Sequence, residues 1–258
     1  MKTANNYRLR LAQLPPAFTV CVLLYGHYPE LAQRCLSRIA VLLESGLIEL
    51  RIGANAISPP TDDVLRRLAL DKFVTCRSAA NIKKYPMMRR LFGAGDTLAP
   101  GGMNLTTPFV MWFDDDSFIS AAQPRRWLAL VRRTMEMCDL LGSRYTIRLK
   151  GNQPQWVRDQ AWYTGQPINE GYRSPYCTGG WWTIRTEVLR RYGWPPTELL
   201  HRGGDVMLGE LCRQQGLRML HFNRGVAINA DEHGEESKSP RRGFDSLPIG
   251  WHYQSSAV

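Results

Sequence analysis

The chain has 258 residues, 44% hydrophobic and 22% charged, enough to bury the core of one large α/β domain or two small ones. A formal net charge of +10 favours anionic partners such as nucleotides, nucleic acid or an acidic surface. No apolar run approaches the ~20 residues of a membrane span, and the polar stretch before Phe18 lacks a signal-peptide pattern. The cysteines (Cys21, Cys35, Cys76, Cys138, Cys177, Cys212) are scattered without a CxxC pair, which argues against a zinc site or a disulfide framework and fits a reducing cytoplasm.

Residues 1–17 read as a basic leader ending in Pro15-Pro16. Phe18–Tyr25 is a buried strand by its length and β-branched content. Pro29 opens a helix from Glu30 to about Ser45, with Leu31, Cys35, Ile39 and Leu42 on one face and Gly46 as its stop. Leu50–Ala54 is expected as a strand, followed by a helix capped by Thr61 or Asp62 that reaches Leu70, and then a strand over Lys72–Cys76. This βαβαβ order predicts a parallel sheet, whose ligands bind at the carboxyl ends of the strands. Met87–Leu91 reads as a short helix before a Gly-rich loop over 93–102, and Pro124–Leu141 as an amphipathic helix. Short strands and loops are expected over 143–182, helices over Glu187–Tyr192 and from Asp205 to Gly216, and a strand over Leu217–Phe222. Asn229–Gly250 is polar and rich in Gly and Pro.

The segment Phe109-Val-Met-Trp-Phe113 is wholly apolar and runs straight into Asp114, Asp115 and Asp116. Carboxylates gathered at the end of a buried strand repel one another and need a cation. A divalent metal carrying a diphosphate suits them, because Mg²⁺ and Mn²⁺ prefer carboxylate and phosphate oxygens. The plain alternative is that one acid caps the next segment and the others are solvated.

Tyr25-Gly26-His27 before Pro29-Glu30-Leu31, an Asp-x-Asp at the end of a later strand, Thr178-Gly-Gly-Trp-Trp182 and Gly203-Gly-Asp205 follow one another in this order. Together they resemble the family 2-like glycosyltransferases of GT-A fold, over roughly residues 18–235. The fold this resemblance implies is a Rossmann-like α/β domain, a mostly parallel sheet flanked by helices. Its nucleotide-sugar-binding half would span 18–122 and its acceptor-binding, catalytic half 123–235, with a loop or tail over 236–258. The resemblance further implies a metal-dependent, inverting transfer from a nucleoside-diphosphate sugar, with UDP as the expected nucleotide.

Carried onto this chain residue by residue, the resemblance makes Asp114 and Asp116 the metal ligands, with His233 joining them in preference to His221 or His252. Asp205 becomes the general base that takes the acceptor proton, the alternative being a simple helix cap. Tyr25, Gly26 and Asn55 would hold the nucleoside, although the family more often has Asp where Asn55 stands. Asp115 would share in the donor site, and Lys84, Arg89 and Arg242 would meet the diphosphate. Gly179, Gly180, Trp181, Trp182 and Gly204 would face the acceptor; neighbouring strand residues point to opposite faces, so one of the two tryptophans would be core and the other free to stack on a sugar. Glu210 is expected to be solvated or structural, and Trp156, Trp162 and Tyr163 to serve either the acceptor or packing.

For the acceptor, the basic charge and the likeness to compact phage-type enzymes favour the hydroxymethyl group of a modified pyrimidine in DNA. A saccharide, a lipid-linked glycan or a protein is the alternative. A non-catalytic nucleic-acid-binding α/β protein would explain the charge but has no use for the acids. A nucleotidyltransferase would be expected to carry a Gly-rich phosphate loop where this chain has Tyr25-Gly-His-Tyr-Pro29.

Overall fold

The structure is a computed structural model that describes residues 15–93, 103–149, 151–169, 171–231 and 233–235. Four strands, β1 (Phe18–Tyr25), β2 (Ile48–Asn55), β3 (Val74–Ser78) and β4 (Phe109–Asp114), run parallel in the order β3-β2-β1-β4. The sheet continues through β7 (Arg173–Arg185), antiparallel to β4, then β6 (Leu140–Arg148) and β8 (Met219–His221), making seven strands. A separate ribbon pairs β5 (Phe118–Ile119) with β9 (Val226–Ala227). The mostly parallel α/β fold expected from the sequence is therefore present.

Helices cover both faces. On one side α1 (Pro29–Glu44), α2 (Pro59–Arg67) and α4 (Pro124–Met135) pack Leu36, Ile39, Val64 and Val131 against Val20, Ile52 and Phe113. On the other, α3 (Lys84–Phe92), α6 (Thr186–Tyr192) and α7 (Gly204–Gln214) pack Met87, Leu91, Leu189 and Leu211 against Cys21 and Trp112. A short helix, α5 (Gln153–Arg158), lies in the connection from β6 to β7. Being buried on both faces, β1 reads as a continuous apolar run rather than an alternation. The start of α1 follows the expected chemistry, with Pro29 in its first turn and Glu30 near its positive end.

Several elements differ from the sequence expectation. The helix beginning at Pro124 stops at Met135 and does not reach Leu141, because Leu140 and Leu141 start β6. Cys138 continues its apolar spacing, but the chain turns there, and Asp139 Oδ2 accepts from the Arg218 backbone N–H at 2.8 Å. Asp71–Phe73 is a 3₁₀ turn, so β3 starts later than expected, and α2 begins at Pro59 behind Ser58. The region expected as short strands and loops holds two long strands. Its Gly and Pro content hides them, because β6 and β7 slip in register between Gly142 and Arg144. Ala17, assigned to the leader, is buried beneath β1, and its carbonyl accepts from the Phe109 N–H. The expected leader before Pro15 and the tail from residue 236 lie outside the described residues. Among the described residues no helix is long and apolar enough to cross a membrane.

Candidate active site

Register sets the site. Tyr25 pairs with Asn55, Asn55 with Ser78, and Leu23 with Asp114, so the carboxyl ends of the parallel strands finish together. Asp114 closes β4 with both carboxylate oxygens engaged. Oδ2 accepts from Lys84 Nζ at 2.5 Å and Oδ1 from Trp112 Nε1 at 2.8 Å. Burial is the main force on this group and pushes its pKa up to about 6; Lys84 opposes that rise and the Asp116 charge adds to it.

Lys84 is delivered by a strained turn. Lys83 has a φ of 75°, uncommon for a residue with a side chain. The turn is held from below, because Asn55 Oδ1 accepts from the Ile82 N–H at 3.0 Å and Asn55 Nδ2 donates to Asn81 Oδ1 at 3.0 Å. From there the Lys84 ammonium also donates to the Gly179 carbonyl at 2.7 Å and sits 5.8 Å from the centre of the Trp112 ring. A Cβ on Gly179 would lie 3.1 Å from that ammonium.

Asp205 opens α7 on the far side of Gly179. Its Cβ and Oδ2 lie 3.8 and 3.9 Å from the point a Gly179 Cβ would occupy. Its Oδ1 accepts from the Val206 N–H at 3.0 Å. Burial raises its pKa, against the pull of Lys84 and of the backbone N–H groups. Tyr85, which sequence reasoning missed, closes this side. Its buried phenol oxygen lies against Gly204 at the head of α7. A Cβ on Gly204 would fall 2.3 Å from that oxygen, so the close approach requires glycine. Burial, then the charges of Asp205 and Asp114, pushes the phenol pKa far up, so Tyr85 stays protonated. The signal for Tyr85 in the sequence is only its place beside Lys84.

The other two acids turn differently. Asp115 is buried and its Oδ2 accepts from the Tyr25 N–H at 3.1 Å, locking the end of β1 to the acid turn. The Asp116 backbone carbonyl accepts from the Ala230 N–H at 2.7 Å, which brings the segment carrying His233 alongside the third acid. His233 itself is exposed, and its N–H donates to Asp231 Oδ1 at 3.0 Å.

Among the described residues no group of three His, Cys, Asp or Glu side chains converges as a metal cage would require. Mg²⁺ and Mn²⁺ need no such cage, since one or two carboxylates with substrate phosphates and water suffice. The donor set therefore fits a metal shared with a diphosphate, with Asp116 as its carboxylate. Asp114 receives one donor at each oxygen, from Lys84 and Trp112, which leaves each oxygen a second lone pair.

Other expected site residues have structural duties. Trp181 and Trp182 do point to opposite faces, but helices cover both faces of the sheet and both rings are buried. Trp182 stacks on Trp112 across the β4–β7 ladder at 6.1 Å, and neither tryptophan offers a face to a sugar. Asn55 is buried, its amide spent on the 81–82 turn rather than on a base. Arg89 is buried with Nη1 donating to the Pro196 and Leu199 carbonyls, which ties down that loop and removes it from the diphosphate. Gly26 offers its carbonyl to Ser58 and Thr61. Gly180 packs where a Cβ would meet Ser117 Oγ at 2.5 Å. Glu210 is fully buried and bridges to Arg213 at 2.9 Å, a structural role. Trp156 and Trp162 are core. His221 Nδ1 accepts from the Arg144 N–H, while Arg242 and His252 lie outside the described residues.

No family model matches the sequence, and no curated protein sequence matches it. Solved structures do resemble it. The mannosyltransferase PcManGT from Pyrobaculum calidifontis, in complex with GDP-Man and Mn²⁺, aligns with a TM-score of 0.52 at 16% identity, over 85% of this chain and 62% of that one. The glucosyl-3-phosphoglycerate synthase from Mycobacterium tuberculosis, with Mn²⁺, UDP-glucose and phosphoglyceric acid, gives 0.49 at 15% identity, over 85% of this chain and 74% of that one. S. aureus TarS gives 0.47 at 14% identity, over 80% of this chain and only 35% of its own length. The chain thus spans less than two thirds of the mannosyltransferase. At these identities the likeness is one of fold, and the fold is the Rossmann-like GT-A arrangement of a mostly parallel sheet between helices.

Proposed function

We propose that this protein is an inverting glycosyltransferase that uses a nucleoside-diphosphate sugar and a divalent metal, Mn²⁺ or Mg²⁺, with Asp205 as the general base. The observation that carries this reading is the bridge made by Lys84. One buried ammonium binds Asp114 on the donor side and the carbonyl of Gly179, the glycine whose Cα side faces Asp205. Donor acids and candidate base thus face one small volume at the carboxyl ends of the strands, where open α/β sheets bind ligands. The mannosyltransferase of similar fold, solved with GDP-Man and Mn²⁺, supports the donor class.

In this reading burial raises the proton affinity of Asp205, which suits it to accept the acceptor's hydroxyl proton as the bond to the sugar forms. Val206 N–H holds one of its oxygens and leaves the other for that proton. A bound metal would neutralise charge on the departing diphosphate, and Asp114 and Asp116 of the acid turn would hold it. Lys84 adds a fixed positive charge beside the same pocket. Tyr25, at the end of β1, remains the candidate stacking surface for the nucleoside base, and GDP competes with UDP as the nucleotide.

We take a saccharide, rather than the hydroxymethylpyrimidine of DNA, as the acceptor, in keeping with the similar fold of a sugar-transferring enzyme, the mannosyltransferase. A nucleic-acid-binding protein without activity would have no use for a carboxylate buried against its counterpart across Lys84.

The test is release of nucleoside diphosphate from UDP- and GDP-sugars with Mn²⁺, paired with calorimetric binding of the same donors. Metal-dependent binding and turnover, with Asp205→Asn keeping the first and losing the second, is expected. Absence of metal-dependent donor binding would overturn the reading.

A further inference from the structure

Helix α4 has a buried side and an exposed one. Trp127, Leu128, Val131 and Met135 pack into the core. Arg125, Arg126, Leu130, Arg132 and Arg133 face solvent. At about 3.6 residues per turn, Arg126, Leu130 and Arg133 stand in one row, at i, i+4 and i+7. Met137 follows just past the helix end, where its N–H donates to the Thr134 carbonyl at 3.0 Å. Arg224 lies beside the first turn, because its carbonyl accepts from Trp127 Nε1 at 2.8 Å, and it is exposed too.

Two features set this face apart from an ordinary solvated helix surface. The first is its charge. Helix α4 contains no acidic residue, and among the described residues Arg125, Arg126, Arg132, Arg133 and Arg224 make no ion pair. Helix α2 shows the contrary pattern, with Arg66 reaching Asp62 at 3.2 Å and Asp63 at 2.6 Å. Arg125 and Arg126 also stand in the first turn of α4, at the positive end of the helix dipole, where acids are favoured and cations are not. The flanking acids Glu136 and Asp139 lie at the opposite end, and Asp139 is held by Arg185 at 3.2 Å.

The second feature is apolar exposure. Leu130 is 43% and Met137 54% exposed, two of the four large apolar side chains exposed among the described residues. Leu130 stands between Arg126 and Arg133, and Met137 lies one turn beyond Arg133. Cations and apolar groups are therefore interleaved on this face.

We propose that the outer face of α4 is a docking surface for an anionic membrane, its arginines meeting lipid phosphate groups and Leu130 and Met137 entering the headgroup layer. Charge complementarity sets the sign of the partner, and the interleaving sets its kind. A nucleic-acid backbone offers phosphates but no apolar layer beside them. A bilayer surface offers both, and a helix can lie along it. Arginine stems are themselves apolar, so they can follow Leu130 while their guanidiniums stay at phosphate level. With only two apolar side chains to insert, the attraction is mainly electrostatic and weakens as salt rises. The proposal goes beyond the glycosyltransferase reading and does not rest on it.

The full chain is mixed with vesicles of phosphatidylcholine alone, or of phosphatidylcholine and phosphatidylglycerol in roughly equal parts. Binding is read by co-flotation over a range of salt. Binding to the anionic vesicles only, weakening as salt rises, is expected. Arg126→Gln and Arg133→Gln should each weaken it about fivefold, the worth of one arginine at an anionic surface. Leu130→Gln should weaken the binding that remains at higher salt, where charge is screened. Arg148→Gln removes an equal charge from the far end of β6 and should change nothing. Equal binding to the two kinds of vesicle, no binding to either, insensitivity to Leu130→Gln, or an equal loss from Arg148→Gln overturns the proposal. Tighter binding of a labelled DNA duplex through Arg126 and Arg133 would assign the face to nucleic acid and also overturn it.

Discussion

Lys84 and Asp114, thirty residues apart in sequence, meet at 2.5 Å in the only ion pair that structure places between α3 and the end of β4 among the described residues. The pair is mostly buried, the two side chains being 10% and 21% exposed. Removing one partner from such a pair strands a charge, which costs about 3–5 kcal/mol. Lys84→Met should therefore lower stability in urea by about that much, and Asp114→Asn added to it should recover a large part. Full additivity of the two single changes would show that the pair contributes nothing.

Asp205 gives a prediction in which stability and activity part. Its pKa is raised in the folded state, so folding favours the protonated carboxyl. The folded chain binds more protons than the unfolded one between the two pKa values, and stability falls as pH rises through that window. Asp205→Asn has no charge to bury. Its thermal midpoint should exceed that of the wild type at pH 7, and the gap should close below the ordinary carboxylate range. Activity should fall by about 10²–10⁴-fold in the same variant.

The same shift sets a pH profile. A general base works only when ionised, so the acid limb of kcat/KM should lie above the ordinary Asp value near 4. A limb at or below that value would remove Asp205 from the role.

Tyr85 and the head of α7 form a third test. Tyr85→Phe removes the buried phenol oxygen that lies against Gly204 and should cost about 1 kcal/mol. Because Tyr85 packs on the first turn of the helix that carries Asp205, kcat should fall while donor affinity holds. Gly204→Ala drives a methyl into the Tyr85 ring, whose other side meets Trp194 at 5.8 Å, so strain of about 1–3 kcal/mol is expected.

Trp182→Ala tests the reassignment of the tryptophans. As a core ring stacked on Trp112 it should cost about 3–5 kcal/mol, and Trp182→Phe should leave the acceptor KM unchanged. A raised acceptor KM with unchanged stability would return Trp182 to the acceptor site.

The order of the first strands and helices was readable because fully buried strands and amphipathic helices leave distinct apolar patterns; Phe18–Tyr25 and the Asp114–Asp116 turn were visible as soon as the sequence was read. The second half was harder. Local patterning cannot say that Leu140 leaves a helix to pair with Met219, nor that a strand rich in Gly and Pro will run from Arg173 to Arg185. At the site, residue type located Asp205 and the acids. It could not tell Arg89, spent on loop carbonyls, from Lys84, which reaches Asp114, since both are cations on one helix and only packing separates them. Tyr85 carried no motif at all.

Strand β7 carries the Arg173–Tyr176 segment paired with β6, the Gly179 carbonyl that receives Lys84, and the tryptophans embedded in the two cores. The ladder slips between them: Arg144 pairs with Cys177 and Gly142 with Trp182, so Gly179 lies in the slip. Lys84, bonded to the Gly179 carbonyl, therefore clamps β7 at the slip in its ladder, and Lys84→Met should loosen the stretch between its two paired parts.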